Sequence, residues 1–181
     1  MSWWWVLLLV VVLVGLGWYL STTAGRLDRM HRRVEVSLGN LEGALERRRD
    51  AADHVASVGL LDPASSLLIA DAVAGVDQVA ASDRVQRYVA ESDLSTVLSN
   101  VFSDPAEVAE IVTEPGGELV LRLADSCRRV EIGRRFYNDA VYSTRSMRSW
   151  PVVRTFRLQG RAAMPETVEM VDTPPDGFAG L

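Results

Sequence analysis

No charged side chain occurs between Ser2 and Gly25, and 16 of the 18 residues from Trp3 to Leu20 are apolar. Nothing else in the sequence constrains the fold as strongly. Those 24 charge-free residues, wound at 1.5 Å per residue, extend about 36 Å, more than the roughly 30 Å hydrocarbon core of a bilayer. The edges carry residues that membrane interfaces select. Trp3, Trp4 and Trp5 mark one end, and Trp18 with Tyr19 the other, because amphipathic rings settle at headgroup level. Arg26, Arg29, Arg32 and Arg33 follow the span, and no basic side chain precedes it. The positive-inside rule then predicts a single-pass cell-membrane protein with its N-terminus outside and its bulk in the cytoplasm. A cleaved signal peptide is the rival reading, with Thr22-Thr23-Ala24 as a small-residue site. Such a peptide has a basic leading region and a shorter apolar core, and both are missing here. Residues 1–25 are therefore expected to form a retained anchor.

The rest of the chain has the composition of an ordinary globular domain. From Leu27 the apolar period is helical. Leu27, Val34, Leu41 and Val55 form one row at sevenfold spacing, interrupted by Arg48, and Leu38, Leu45, Ala52 and Gly59 form a second. That 3–4 spacing is a seam along one helix face. No proline interrupts residues 21–62, so the anchor is expected to run directly into a helix ending near Gly59. Gly39 and Gly43 either admit a close neighbour or weaken that helix. Asp62-Pro63 reads as an N-cap with proline in the first turn of a well-buried helix over 64–81. Ser82-Asp83 and Asp104-Pro105 suggest further starts, with short helices near Leu94–Phe102 and Ala106–Val112. A last long helix follows Pro115. Leu119, Leu123, Cys127, Val130, Tyr137, Val141 and Thr144 share one face of it, and Trp150-Pro151 ends it. After Leu158 the period dissolves into Pro165, Pro174-Pro175 and Asp176-Gly177, the marks of a disordered tail. The expected fold is all-α, an N-terminal transmembrane helix continuing into an elongated antiparallel helical bundle over 26–158, with residues 159–181 as the tail.

Charge is distributed in blocks. All 19 basic residues are arginine, and the net −5 resolves into +1 for 26–54, −9 for 62–118, +7 for 122–161 and −4 for 166–181. The overall acidity speaks against a nucleic-acid binder. The arginines of the last helix either pair with the acidic middle of the bundle or face anionic lipid headgroups. Arg134 falls beside Val130, Tyr137 and Val141, which predicts a partly buried charge. Its partner would be Asp50, Asp53, Asp71 or Asp77, unless the side chain snorkels to solvent.

Catalytic constellations are missing from the sequence. His31 and His54 have no ligand-spaced partners, and no zinc, phosphate-loop, nucleophile-elbow or dinucleotide motif occurs. Cys127 is the only cysteine; it lies on the apolar seam and reads as a core residue. No catalytic, cofactor or metal residue is assigned.

Arg134-Arg135-Phe136-Tyr137-Asn138-Asp139-Ala140-Val141, with Trp150-Pro151 nine residues on, resembles the R-x-x-Y-N-x-x-V stretch and later aromatic-proline pair of the LemA family. Arg134, Tyr137, Asn138, Val141, Trp150 and Pro151 carry the likeness. Arg47-Arg48-Arg49-Asp50 resembles that family's RR-x-D segment. Two departures stand out: Thr144-Arg145 replaces a second Tyr-Asn pair, and Asp53-His54 replaces Pro-Asn. The resemblance implies a single-span membrane protein with a cytoplasmic helical bundle and no established enzymatic activity. Together these readings lead to a membrane-anchored, non-catalytic interaction or scaffold module without a cofactor. Its partners would be the membrane, and either an unidentified protein or a second copy of itself. Two alternatives are kept: lipid engagement through the arginine-rich last helix, and an unrecognised enzyme.

Overall fold

The structure, a computed structural model, describes residues 3–80, 82–160 and 162–181. Met1 and Ser2 of the expected anchor, Ala81 at the end of the expected second helix, and Arg161 of the basic block lie outside the described residues. The chain is all-helical: α1 (Trp3–Ser57), α2 (Pro63–Asp77), α3 (Arg84–Val101), α4 (Pro105–Thr113), α5 (Glu118–Arg148), α6 (Pro151–Thr155) and a 3-10 turn at Asp176–Phe178. Among the described residues no strand forms.

Helix ends fall where side chains can serve the free backbone groups. Asp62 Oδ1 accepts the N–H groups of Ala64 and Ser65 at 2.9 and 3.1 Å, and Pro63 opens α2. Hydrogen bonding to Ser65 holds the Asp62 carboxyl below the usual carboxylate range. Asp83 and Asp104 cap α3 and α4 in the same way, each accepting the N–H of a residue in the first turn. Helix α3 joins the two short segments expected over 82–102 into one, because no proline or glycine interrupts them. Helix α1 ends before Gly59, which takes the left-handed conformation at φ +80°.

Contacts divide the chain into two units, one built from residues up to Ser37 with Asn138–Thr167, the other from Leu38–Tyr137 with Val168–Leu181. In the first unit α1 carries the apolar run, which is long and apolar enough to cross a membrane. Its side chains from Trp3 to Val14 stand exposed on every face. Below that run Leu27 packs with Met147 and Val153, flanked by Met30 and Leu158.

The second unit holds the main core. Ala52 and Val55 of α1 meet Ile69, Val73 and Val76 of α2, Leu94 and Leu98 of α3, Val108 of α4, and Val120, Leu123 and Cys127 of α5. Here α1 and α5 run antiparallel: Leu41 backs onto Gly133, and further along Ala51 lies beside Leu119 and Ser126. The close approach is made at Gly133, where an added Cβ would stand 3.6 Å from Leu41 Cα; nothing approaches Gly39, and only the Arg47 guanidinium approaches Gly43. Most positions of the expected seams are buried: Leu27, Val34, Leu41, Leu45, Ala52 and Val55 of α1, and Leu123, Cys127, Val130, Tyr137, Val141 and Thr144 of α5. Leu38 and Leu119 are half-buried, and Gly59, beyond the end of α1, is exposed.

Two expectations change. Helix α2 is buried on one side only, leaving Leu67 at 70% and Leu68 at 56% exposure. Its composition is largely apolar, with Asp71 and Asp77 as its charges, so its apolar residues did not single out one inward face. The second correction concerns the aperiodic C-terminal segment, expected to lack a fixed place. Residues 168–181 are packed onto the second unit, with Val168, Asp172, Pro175 and Phe178 buried. The Phe178 ring lies 5.0 Å from that of Phe102. Gly177 donates its N–H to the Phe102 carbonyl at 2.9 Å, so close that a Cβ there would collide with the same oxygen. This segment packs through shape and polar contacts rather than through a helical face, and hydropathy period cannot report that.

Candidate functional site

Three places in the second unit combine charge with an unusual environment. The first is a buried ionic layer. Arg48 occupies the α1 row between Leu41 and Val55, and at 1% exposure it is as buried as they are. Its Nη2 donates to Glu91 Oε2 at 2.7 Å and to the Glu91 carbonyl at 3.0 Å, and its Nη1 donates to Ser95 Oγ at 2.7 Å. Arg48 Nε and Glu91 Oε1 have no hydrogen-bond partner although both are buried. The layer therefore ties α1 to α3 at one register while leaving part of its desolvation cost uncompensated. Cys127 lies in the same core. Burial pushes its thiol up to about 11, against the opposing field of Arg48.

The second is Arg134, which is part-buried as its neighbours imply. Its partner is none of the four helical aspartates considered. Nε and Nη2 donate to the two carboxylate oxygens of Asp172, at 2.5 and 2.9 Å, in a bidentate fork. That hydrogen-bonded carboxylate raises the guanidinium pKa above its ordinary value. Nearby, the Val171 N–H donates to Ser92 Oγ at 3.1 Å, and Arg128 Nη2 donates to the Leu181 carbonyl at 3.3 Å. Of the family-like residues, Tyr137, Asn138 and Val141 are buried, whereas Trp150 and Pro151 are exposed and Pro151 opens α6.

The third is an open groove between α2 and α3, with a volume of about 400 Å³. Leu68, Val79, Val89 and Val97 line it, Asp71 and Asp93 stand in its walls, and no cation does. Neither aspartate has an ion pair among the described residues. Leu67 and Val85, 70% and 73% exposed, extend the apolar surface beyond it. The outer face of α5 in the same unit has complementary chemistry. Arg128, Ile132, Arg135 and Phe136 are exposed at 3–4 spacing, with Arg129 and Arg135 held only in surface pairs to Asp125 and Glu131.

The expectation that the arginines of 122–161 pair with the acidic block 62–118 is not met. Their ion pairs, among the described residues, go to Asp125, Glu131 and Asp172. The acidic block is instead met from α1, by Arg48 on Glu91 and Arg49 on Asp77. Sequence distance misled here, because helical neighbours four apart meet more readily than partners on separate helices.

Trp3, Trp4, Trp5, Trp18 and Tyr19 are exposed, as are Arg26, Arg29, Arg32 and Arg33 on the turns that follow. Among the described residues no group of three or more His, Cys, Asp or Glu side chains is placed to hold a metal ion. Comparison of the chain with protein families, with curated proteins and with solved structures returns no match. The residues that sequence reasoning missed are Glu91, Asp172 and the exposed pair Leu67-Leu68. Arg48 did leave a signal, since a charge inside a heptad row is a candidate buried ion rather than a gap in the row.

Proposed function

We propose that this chain is a membrane-anchored, non-catalytic assembly module of LemA-like organisation, whose bundle associates with further copies of itself on the cytoplasmic face. The observation that carries it is the pairing of two open surfaces on one unit. An apolar groove with Asp71 and Asp93 in its walls, neither ion-paired among the described residues, matches a helix face bearing Arg128, Ile132, Arg135 and Phe136. The two surfaces are different, so the contact between copies is head-to-tail and propagates into rings or chains instead of stopping at a dimer. Apolar area drives such a contact, while the opposed charges select its register.

The test uses the full-length protein in membranes, in a Cys127→Ala background. Leu68→Cys and Phe136→Cys are introduced singly and together, and oxidative crosslinks are resolved by size. The expected result is a ladder of multimers from the double variant and none from either single variant. A double variant that stays monomeric, or a Leu68→Cys single variant that forms dimers, overturns the head-to-tail contact.

The cytoplasmic orientation rests on Arg26, Arg29, Arg32 and Arg33 immediately after the apolar run. Met164, 52% exposed, provides a reporter position. In Cys127→Ala/Met164→Cys, an impermeant thiol reagent is expected to label only permeabilised cells. Labelling of intact cells would reverse the orientation.

A further inference from the structure

The two units have very different charge. Residues 1–37 with 138–167 sum to +5, and residues 38–137 with 168–181 to −10. The positive unit is the one that contains the apolar run. Within it, at the C-terminal end of α5, Arg145, Arg148, Ser149, Arg154, Gln159 and Met164 line a cavity of about 350 Å³.

This cavity has three guanidinium groups and no acidic residue in its lining. Among the described residues none of the three arginines has a carboxylate within ion-pair distance. Two of them are held in place by backbone oxygens. Arg145 Nε donates to the Pro165 carbonyl at 2.8 Å, and its Nη groups have no partner among the described residues. Arg148 donates to the carbonyls of Ala163 and Ala162 at 2.7 and 3.0 Å, and its Nη1 lies 3.3 Å from His31 Nε2. Arg154 has no partner among the described residues. Gln159 adds a buried side-chain oxygen without a hydrogen bond. Fixed guanidinium groups with spare N–H donors and no internal counter-charge are the arrangement that takes up phosphate, because the planar fork matches its oxygens. A hydroxyl on a protonated phosphate or on its ester would serve the Gln159 oxygen.

The position along α1 narrows the source. His31, which touches Arg148, follows Gly25 by six residues, or about 9 Å along the helix axis. We propose that Arg145, Arg148 and Arg154 form a binding site for a phosphate-bearing anion next to the membrane surface, the phosphate of an acidic phospholipid headgroup or free phosphate. The site is separate from the α2–α3 groove and does not depend on self-association. Its lipid source does rest on α1 crossing the membrane.

The experiment compares the full-length protein with Arg154→Gln and with Arg122→Gln, a basic-to-neutral control at an exposed position in the other unit. Arg154 is exposed and has no partner among the described residues, so its replacement is not expected to disturb folding, which thermal unfolding in detergent verifies. Bound lipid is counted by native mass spectrometry after exposure to equal phosphatidylglycerol and phosphatidylcholine. Inorganic phosphate is titrated separately against thermal stability. A charge next to the bilayer surface is worth about a fivefold change in binding. Arg154→Gln is thus expected to lower phosphatidylglycerol retention about fivefold, or to remove the stabilisation by phosphate, with Arg122→Gln unchanged. Retention of phosphatidylglycerol without a phosphate effect assigns the site to lipid, and stabilisation by phosphate alone assigns it to the free ion. Equal losses in both variants would mean diffuse charge, and no loss in Arg154→Gln with no phosphate effect would mean no site. Either of these overturns the proposal.

Discussion

Arg48 Nη2 lies 2.7 Å from Glu91 Oε2 inside the second unit, with the two side chains 1% and 0% exposed. On the outer face of α5, Arg129 Nε lies the same 2.7 Å from Asp125 Oδ2, with the side chains 62% and 56% exposed. Equal distances here do not mean equal energies. The buried pair has given up its hydration, so each charge depends on the other and the loss of one strands the other. The surface pair competes with water and salt and gains almost nothing by forming. The difference also separates two kinds of region. The inner layer, with its fixed register, defines the bundle, whereas the outer face holds its arginines in solvent-exposed pairs.

The sharpest way to break this comparison is Glu91→Ala. It is expected to cost about 3–5 kcal/mol, because Arg48 is left charged in an apolar core. The double change Arg48→Met/Glu91→Leu is expected to be neutral or to stabilise by about 1–4 kcal/mol, since two atoms of the native layer are unpartnered. Denaturant unfolding of the second unit's helices, followed by circular dichroism, gives both values. A cost for Glu91→Ala no larger than that for Asp125→Ala would end the distinction.

Arg134→Met tests an intermediate environment. Asp172, 6% exposed, loses a bidentate charged partner, for an expected cost of about 1.5–3 kcal/mol. Residues 168–181 should then become sensitive to protease. Continued resistance of that segment would mean that Phe178, not the ion pair, holds it down.

Cys127 reports how dry the core is. Burial raises its pKa from about 9 to about 11, so at pH 8 the folded protein has about a hundredth of the unfolded chain's thiolate. Iodoacetamide is expected to react about 100-fold more slowly with the folded form. The linkage follows from the raised pKa of an acid: the neutral thiol's contribution to stability is complete below about pH 9 and is lost as pH rises through about 11. Cys127→Ala should flatten that part of the stability curve. The smallest effect belongs to Asp125→Ala, expected to change stability by less than about 0.5 kcal/mol, less again at high salt.

Much of the helical scaffold was legible because helix geometry writes itself into spacing. Leu27, Val34, Leu41 and Val55 could face inward together only on a continuous helix, and the Asp-Pro pairs marked helix starts through their capping chemistry. Arg48 was legible as an anomaly, although its row position alone did not disclose that it is buried and paired. Glu91 left no trace, since nothing local separates it from an exposed acid such as Asp93. Asp172 and Phe178 were missed for a different reason. A segment without period packs through individual contacts with residues far away in sequence, 38 positions in the case of Arg134 and Asp172. The candidate surfaces were the least legible part, because an apolar helix such as α2 gives no hint of which side is left open.

The seat of Phe178 against Phe102 also sets an order of events during synthesis. Phe178 is translated about 150 residues after Gly25, which at typical elongation rates is a delay on the order of 8–30 s. The apolar run of α1 is thus committed to its surroundings well before the second unit can complete its core. In that interval Arg134 waits for Asp172, and Val108 and Phe102 wait for the ring that covers them. The nascent chain is therefore most open to chaperones, and to the wrong neighbours, after its greasiest segment has already emerged.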